Sequence, residues 1–321
     1  MTSTDIVIGL SAVIVTLQGG DAAVLTVRQP AAGSEAGLPF GPFDPDGHRT
    51  FELALKEFVG RQTGFSLGYV EQLYTFGDKG RDAPLADVGA GEARVISVGY
   101  LGLAPTAEAT SAPDSAWSSW SRFFPYEDWR QGRPPSLDDV IGPALMHWAG
   151  PSEARRSRVR LLFAMEGARW NEERVLERYE LLYEAGLAPE AARDRGEQAA
   201  GTVVEVVGES MISDHRRILA TGLSRLRGKL KYRPVVFELM AEAFTLSALQ
   251  KTVEALVGVP LHKQNFRRVV ERADLVEGLG RMDEETGGRP AELFRFRREL
   301  LAERPVGGLS LPFLAGGYTH R

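Results

Sequence analysis

Hydrophobic and polar positions change period along this chain, and the changes mark its elements. Asp5–Leu17 and Ala22–Arg28 are apolar, β-rich runs separated by Gly19-Gly20-Asp21, which predicts a hairpin opening a mixed sheet. A loop rich in Gly, Pro and Ala follows, to about Gly47. Phe51, Leu55, Phe58 and Val59 then recur at helical spacing over Phe51–Gln62, and Thr63-Gly64 closes that helix. Tyr69–Phe76 and Arg94–Leu103 read as further strands. Pro151–Gly186 is strongly helical, carrying Val159, Leu162, Phe163 and Glu166, then Val175, Leu176, Tyr179, Leu182 and Tyr183. Met211–Leu230 carries the stripe Leu219, Leu223, Leu226 and Leu230, with Asp214 as the expected cap.

The pattern tightens after residue 231. Pro234–Leu239 is an apolar run of strand length. Thr245 is placed to cap a helix with the stripe Leu246, Leu249, Val253 and Leu256, which Gly258 and Pro260 stop. A second, shorter helix is predicted over Lys263–Ala273. Its apolar side is Phe266, Val269, Val270 and Ala273; its other side carries Lys263, Gln264, Asn265, Arg267, Arg268 and Arg272. Leu275–Leu279 and Pro290–Phe296 read as strands joined by the turn Arg281–Gly288. This order is that of a winged helix-turn-helix. A short helix fits the major groove, where Arg and Lys pair with guanine edges and Asn or Gln with adenine, while nearby cations meet phosphates. The bland reading of the arginines is a solvated face. The hairpin directly after the helix, with Arg281, Arg289 and Arg295 on it, favours DNA.

Composition adds an asymmetry. The net charge is −5, yet residues 211–304 hold 18 Lys and Arg against 13 Asp and Glu. That leaves an acidic body with a basic end, which suits a sensor joined to a nucleic-acid reader. At 321 residues two domains are the prior. No run of 18 apolar residues exists, so no membrane span is expected. The N-terminus lacks the basic region of a signal peptide and there is no Cys, so the expected location is the cytoplasm. The five His (48, 147, 215, 262, 320) lack metal-ligand spacing. Asp214-His215 has no nucleophile motif beside it and reads as a cap. WSSWSRFFPYEDWRQGRPP, with Trp117, Trp120, Phe123, Phe124, Tyr126 and Trp129, reads as a satellite core, the other options being a ligand stack or a partner surface.

RPVVFELMAEAFTLSALQ, HKQNFRR and GGRPAELFRF resemble the C-terminal domain of the Nudix-related transcriptional regulators of NAD metabolism. Residues 5–125, sharpest at Leu38-Pro39, Thr63-Gly64 and EQLYTFGDKGRD, resemble a Nudix domain. The length and FPYEDWRQGRP are similar to the longer NadQ-type NAD regulators, which carry an insertion where this chain has residues 137–207. The insertion is expected either to enlarge a dimer interface or to cover the cleft. The resemblance fails at one informative place. A Nudix hydrolase needs a glutamate-rich helix to hold Mg²⁺, because hard cations need oxygen ligands. Here the helix reads KEFVGRQTG, and Arg61-Gln62 stands in place of its Glu-Glu pair. The Arg-Glu pair falls on Glu57-Phe58, or on Lys56-Glu57 with one residue inserted, so only Glu57 survives as a carboxylate.

The resemblance implies an α+β chain. An N-terminal Nudix-like α/β/α sandwich with a helical insertion is expected over residues 1–230. Within it, a linking helix (211–230) is expected to run straight into a winged helix-turn-helix (231–304), followed by a tail (305–321) that is either flexible or packed on a neighbouring subunit. The implied activity is a repressor of NAD synthesis or salvage genes. It would bind double-stranded operator DNA as a homodimer and sense NAD, ADP-ribose or ATP, with no cofactor required. Candidate ligand contacts are Arg28, Phe40, Glu57, Tyr74, Phe76 and Arg81, with core packing as the other reading for the aromatics. Other readings are a divergent Nudix hydrolase fused to a regulatory domain, or a nucleotide-binding protein whose winged helix makes protein contacts.

Overall fold

The computed structural model of the protein describes residues 6–28, 35–65, 67–77, 94–105, 112–197, 202–283 and 290–300. Arg81, Arg289 and the tail lie outside them. The first body is a sheet of β1 (Ile6–Gln18), β2 (Asp21–Val27), β3 (Phe40–Pro42), β4 (Tyr69–Phe76), β5 (Arg94–Leu103) and β6 (Ser115–Ser119). Its order is β4-β5-β1-β2-β6, with β3 on β1. Central β1 runs parallel to β5 and antiparallel to β2 and β3. Its residues divide between two faces with the period of a strand. Leu10, Ala12 and Ile14 meet Leu55, Phe58 and Val59 of helix α1 (Phe51–Thr63). Val13 and Val15 join Leu219, Leu223 and Leu226 of the long helix numbered α7 below. Thr50 caps α1 by accepting from the Leu53 amide at 3.2 Å, and Gly64 ends it in the left-handed region, as the pattern requires.

Between the sheet and the long helix runs the insertion. It holds α2 (Gly142–Ala149), α3 (Glu153–Leu162), α4 (Val175–Glu184), α5 (Pro189–Asp194) and α6 (Thr202–Val207), and α7 (His215–Tyr232) follows. α4 lies along α7. Trp120, Phe123, Phe124, Tyr126 and Trp129 are buried, so the aromatic stretch is core, while Trp117 is half-buried with its ring edge-on to Phe65.

The second body has β7 (Phe244–Thr245), α8 (Leu246–Val257), α9 (Lys263–Ala273), β8 (Val276–Asp283) and β9 (Ala291–Phe296), with sheet order β7-β9-β8. Thr245 caps α8 by accepting from the Ala248 amide at 3.1 Å. Phe266 and Val270 of α9 share one core with Leu249 and Val253 of α8.

Four local expectations need correction. Pro234–Leu239 is no strand: Val235–Leu239 forms a 3₁₀ turn, and the Phe237 amide donates to the Pro234 carbonyl at 3.2 Å. Its Val235, Val236, Phe237 and Leu239 are all buried, and such a run does not distinguish strand from helix by period. β3 and β6 sit in stretches that composition marks as loop and aromatic cluster. Asp214 stands at the N-cap of α7 without a capping bond; its carboxylate faces Arg217 at 3.4 Å instead. Lastly, α7 does not run on into the winged helix. It stops at Tyr232, and it meets α8 through Arg227, one turn and more before its end.

That contact is polar at its centre. Glu127, fully buried, accepts from Arg178 of α4 at 2.5 and 2.8 Å and from Arg227 of α7 at 2.6 Å. Arg227 also donates to the Leu256 carbonyl in the last turn of α8 at 3.0 Å. Gly258 ends α8 at φ +74°, and a Cβ there would stand 2.4 Å from the Glu127 carbonyl oxygen. The apolar core is continuous across the expected boundary at 230/231, joining Leu226 and Leu230 to Leu249 and Leu256. Among the described residues no helix is long and apolar enough to cross a membrane.

Candidate nucleic-acid interface and ligand cavity

Burial of Phe266 and Val270 turns the polar side of α9 outward. Lys263, Gln264, Asn265, Arg267, Arg268 and Arg272 are all exposed. Lys263 and Arg267, one helical turn apart, line a groove of about 610 Å³ whose other wall is Met282, Glu292 and Phe294 of the hairpin. Arg268 donates to Asn265 at 3.1 Å, which orders that part of the exposed face. Arg281 sits on β8 rather than in the turn and lines a separate groove with Arg295 and Arg298. Arg295 is committed across the hairpin, to Glu277 at 2.5 Å and Glu299 at 3.4 Å. A helix with an apolar underside, a cationic and amide-bearing outer side and a hairpin beside it is chemically equipped to meet phosphates and base edges.

On the opposite body, α1 holds no metal cage. Glu57 is exposed and lies 3.5 Å from His48 and 3.8 Å from Arg61. Gln62 turns toward β3, where its Nε2 donates to the Phe40 carbonyl at 2.6 Å and its Oε1 accepts from the Phe40 amide at 3.1 Å. One carboxylate beside a guanidinium, with its neighbour spent on the backbone, does not fit Mg²⁺. Among the described residues no group of three or more His, Cys, Asp or Glu is placed to hold a metal ion.

The five described ligand candidates do not converge. Phe40 is buried and meets His215 edge-on at 4.8 Å, so its ring is packing, not a base platform. Arg28 is exposed at the end of β2, and Glu57 belongs to α1 on the sheet's other face. Tyr74 and Phe76 do come together, 5.3 Å apart, in a cavity of about 630 Å³ between β4, α4 and α7. Arg174, Arg217 and Arg225 line it with Glu173 and Glu177. Arg217 is held by Glu180 at 2.5 Å, and Glu173 by Lys231. Arg174 and Arg225 are exposed and make no ion pair among the described residues. Sequence reasoning missed this cavity because α4 and α7 lie far from β4 in the chain; only the shared helical stripes hint that they pair.

His215 is fully buried, and its Nδ1 accepts from the Leu38 amide at 2.9 Å. Burial, aided by the charge of Arg193, pushes its pKa down to about 3, so it is neutral near neutral pH. It is a structural acceptor rather than half of a dyad.

This arrangement is an α+β chain in which a Nudix-like sandwich with a helical insertion precedes a winged helix. Residues 236–296 match the NrtR DNA-binding winged helix domain. A relative from Acinetobacter baylyi, the ADPR responsive transcriptional repressor NtrR, is 33% identical over 95 residues, which are 30% of this chain and 38% of that protein. Among solved structures, Shewanella oneidensis NrtR complexed with a 27mer DNA has a TM-score of 0.54 at 22% identity, covering 94% of this chain and 97% of that one. A MutT/nudix family protein from Enterococcus faecalis has a TM-score of 0.53 at 14% identity, covering 92% and 88%. Over residues 236–296 the chain thus matches the NrtR winged helix domain, and in fold and domain order it is similar to NrtR.

Proposed function

We propose that the chain is a transcriptional repressor that binds double-stranded operator DNA through α9 and the hairpin. In this reading its Nudix-like body senses a nucleotide and does not hydrolyse it. The observation that carries the reading is the exposed cationic and amide face of α9 on a domain that matches the NrtR winged helix domain. Lys263, Gln264, Asn265, Arg267, Arg268 and Arg272 are the proposed contacts, with Arg281 and Arg289 from the hairpin. One such helix offers few contacts, so the working form is a homodimer with two helices about 34 Å apart on a palindrome. ADP-ribose is the first effector to test, because the Acinetobacter relative responds to it; NAD and ATP follow. The genes governed are those of NAD synthesis or salvage, and the protein acts where that DNA is, in the cytoplasm. The effector is expected to favour release, through weaker affinity for the DNA-competent state. The absence of hydrolysis is supported by Gln62, whose amide is engaged with Phe40 rather than facing a metal.

The test is titration of the full chain onto fragments from upstream of NAD-metabolism genes, with and without each nucleotide, over a range of salt. Sequence-specific binding that weakens steeply with salt and responds to one nucleotide is expected. No binding at low salt under any condition removes the repressor reading.

A further inference from the structure

We infer that the cavity between β4, α4 and α7 is the effector seat, that it takes a nucleotide by one aromatic ring and its phosphates, and that occupancy reaches α8 through Arg178, Glu127 and Arg227. The inference deepens the nucleotide-responsive reading above and rests on it.

The cavity's size, about 630 Å³, falls within the ~300–1,000 Å³ of small-molecule sites. Its chemistry is divided as a nucleotide's is. Tyr74 is 60% exposed although it belongs to a sheet strand, and its ring stands edge-on to Phe76, which leaves a face open for a base. Tyr232 lines the same cavity and is 55% exposed. Two aromatic rings turned to water in one cavity cost apolar hydration that a stacked base would remove. Arg174 and Arg225 supply guanidiniums with no ion pair among the described residues, the group best shaped for phosphate oxygens. Among the described residues the candidates on the α1 face form no such set: Glu57 is acidic and sits beside Arg61, Gln62 is spent on Phe40, and Phe40 is buried.

The wall of the cavity is also the start of a connected polar path. Asn171 and Glu173 line it. The Asn171 carbonyl accepts from Arg178 at 2.8 Å, and the Glu172 carbonyl between them accepts from Arg227 at 2.9 Å. Both arginines share Glu127, and Arg227 holds the Leu256 carbonyl of α8. All three side chains are fully buried, so no water stands in for a partner that moves. A ligand that shifts residues 171–173 therefore changes the bonds available to the end of α8, the helix against which α9 packs.

The test is calorimetric titration of ADP-ribose, NAD and ATP into the full chain and into Tyr74→Ala and Arg225→Glu. Hydrogen exchange is then followed with and without the nucleotide that binds. Both variants are surface changes and are expected to bind that nucleotide at least tenfold more weakly while holding operator DNA as the parent does. Nucleotide is expected to alter exchange at residues 171–173 and 254–258 together. Parent-like affinity in both variants would place the effector elsewhere and overturn the seat, while leaving a nucleotide-responsive repressor intact. Altered exchange at 171–173 without change at 254–258 would overturn the relay. If the parent chain binds none of the three nucleotides, the seat and the nucleotide reading fall together.

Discussion

The Gln62 carboxamide grips Phe40 by both backbone groups, donating to its carbonyl at 2.6 Å and accepting from its amide at 3.1 Å. The pair ties α1 to the short strand β3. A carboxylate can accept from the amide but cannot donate to the carbonyl. At the position where a Nudix hydrolase pattern asks for a metal-binding glutamate, this chain uses an amide that only its own backbone needs.

Gln62→Glu is accordingly expected to lose about 1–3 kcal/mol, because it leaves a half-buried carbonyl without its donor. Urea unfolding at pH 7 reads this directly. Neither the parent nor the variant is expected to turn over ADP-ribose with Mg²⁺. Metal-dependent turnover by the parent would revive the hydrolase reading.

Arg267→Ala with Arg268→Ala is expected to abolish operator binding and leave stability within ~0.5 kcal/mol, since both side chains are exposed. Each single change, if it removes a phosphate contact, should lower the salt slope by about 1; if it removes a base contact, specificity relaxes instead. Fluorescence anisotropy over a salt series separates the two. Loss of nucleotide binding as well would point to misfolding.

The winged helix was legible because its signals are local. Thr245 and Gly258 bracket one helix, and Phe266 with Val270 fixes which side of the next faces out. The cavity between β4, α4 and α7 was not legible, for two physical reasons. Its walls come from β4, α4 and α7, and nothing local couples Tyr74 to Arg174 or Arg225. Aromatic residues also look alike in sequence whether they are core or platform: Phe40 proved to be packing, while Tyr74 faces water. The buried polar hub was equally hidden, since Glu127, Arg178 and Arg227 read as ordinary surface charges until the insertion folds over them.

His215 gives a pH dependence with a definite sign. Its pKa falls from 6.5 to about 3 on folding, so the unfolded chain binds the extra proton between those values. Stability from this group is therefore complete above pH 6.5 and is lost as pH falls toward 3, at up to ~1.4 kcal/mol per unit. The charge acting on it is that of Arg193, and the Leu38 amide and Phe40 ring that meet it do not titrate. Between pH 7 and pH 5 the loss from this group is about 2 kcal/mol. In His215→Asn, whose side-chain oxygen can still accept from Leu38, that loss should shrink. Urea midpoints of the two proteins at both pH values make the comparison. Equal losses would mean that His215 is not buried as a neutral acceptor.

Glu127 is where the largest single effect on stability is expected. It is the shared anion of two fully buried guanidiniums, and Glu127→Gln leaves Arg178 and Arg227 facing a neutral amide. Breaking a buried pair from one side costs about 3–5 kcal/mol, because the remaining charge has no water to turn to. Exposed pairs such as Arg158–Glu184, at 2.8 Å, are expected to matter by less than ~1 kcal/mol when broken. If Glu127→Gln and Glu184→Gln shift the urea midpoint equally, the hub is wetter than its burial implies. The expected inequality, with faster hydrogen exchange at the end of α8 in Glu127→Gln alone, would show that this carboxylate holds the winged helix to the rest of the chain.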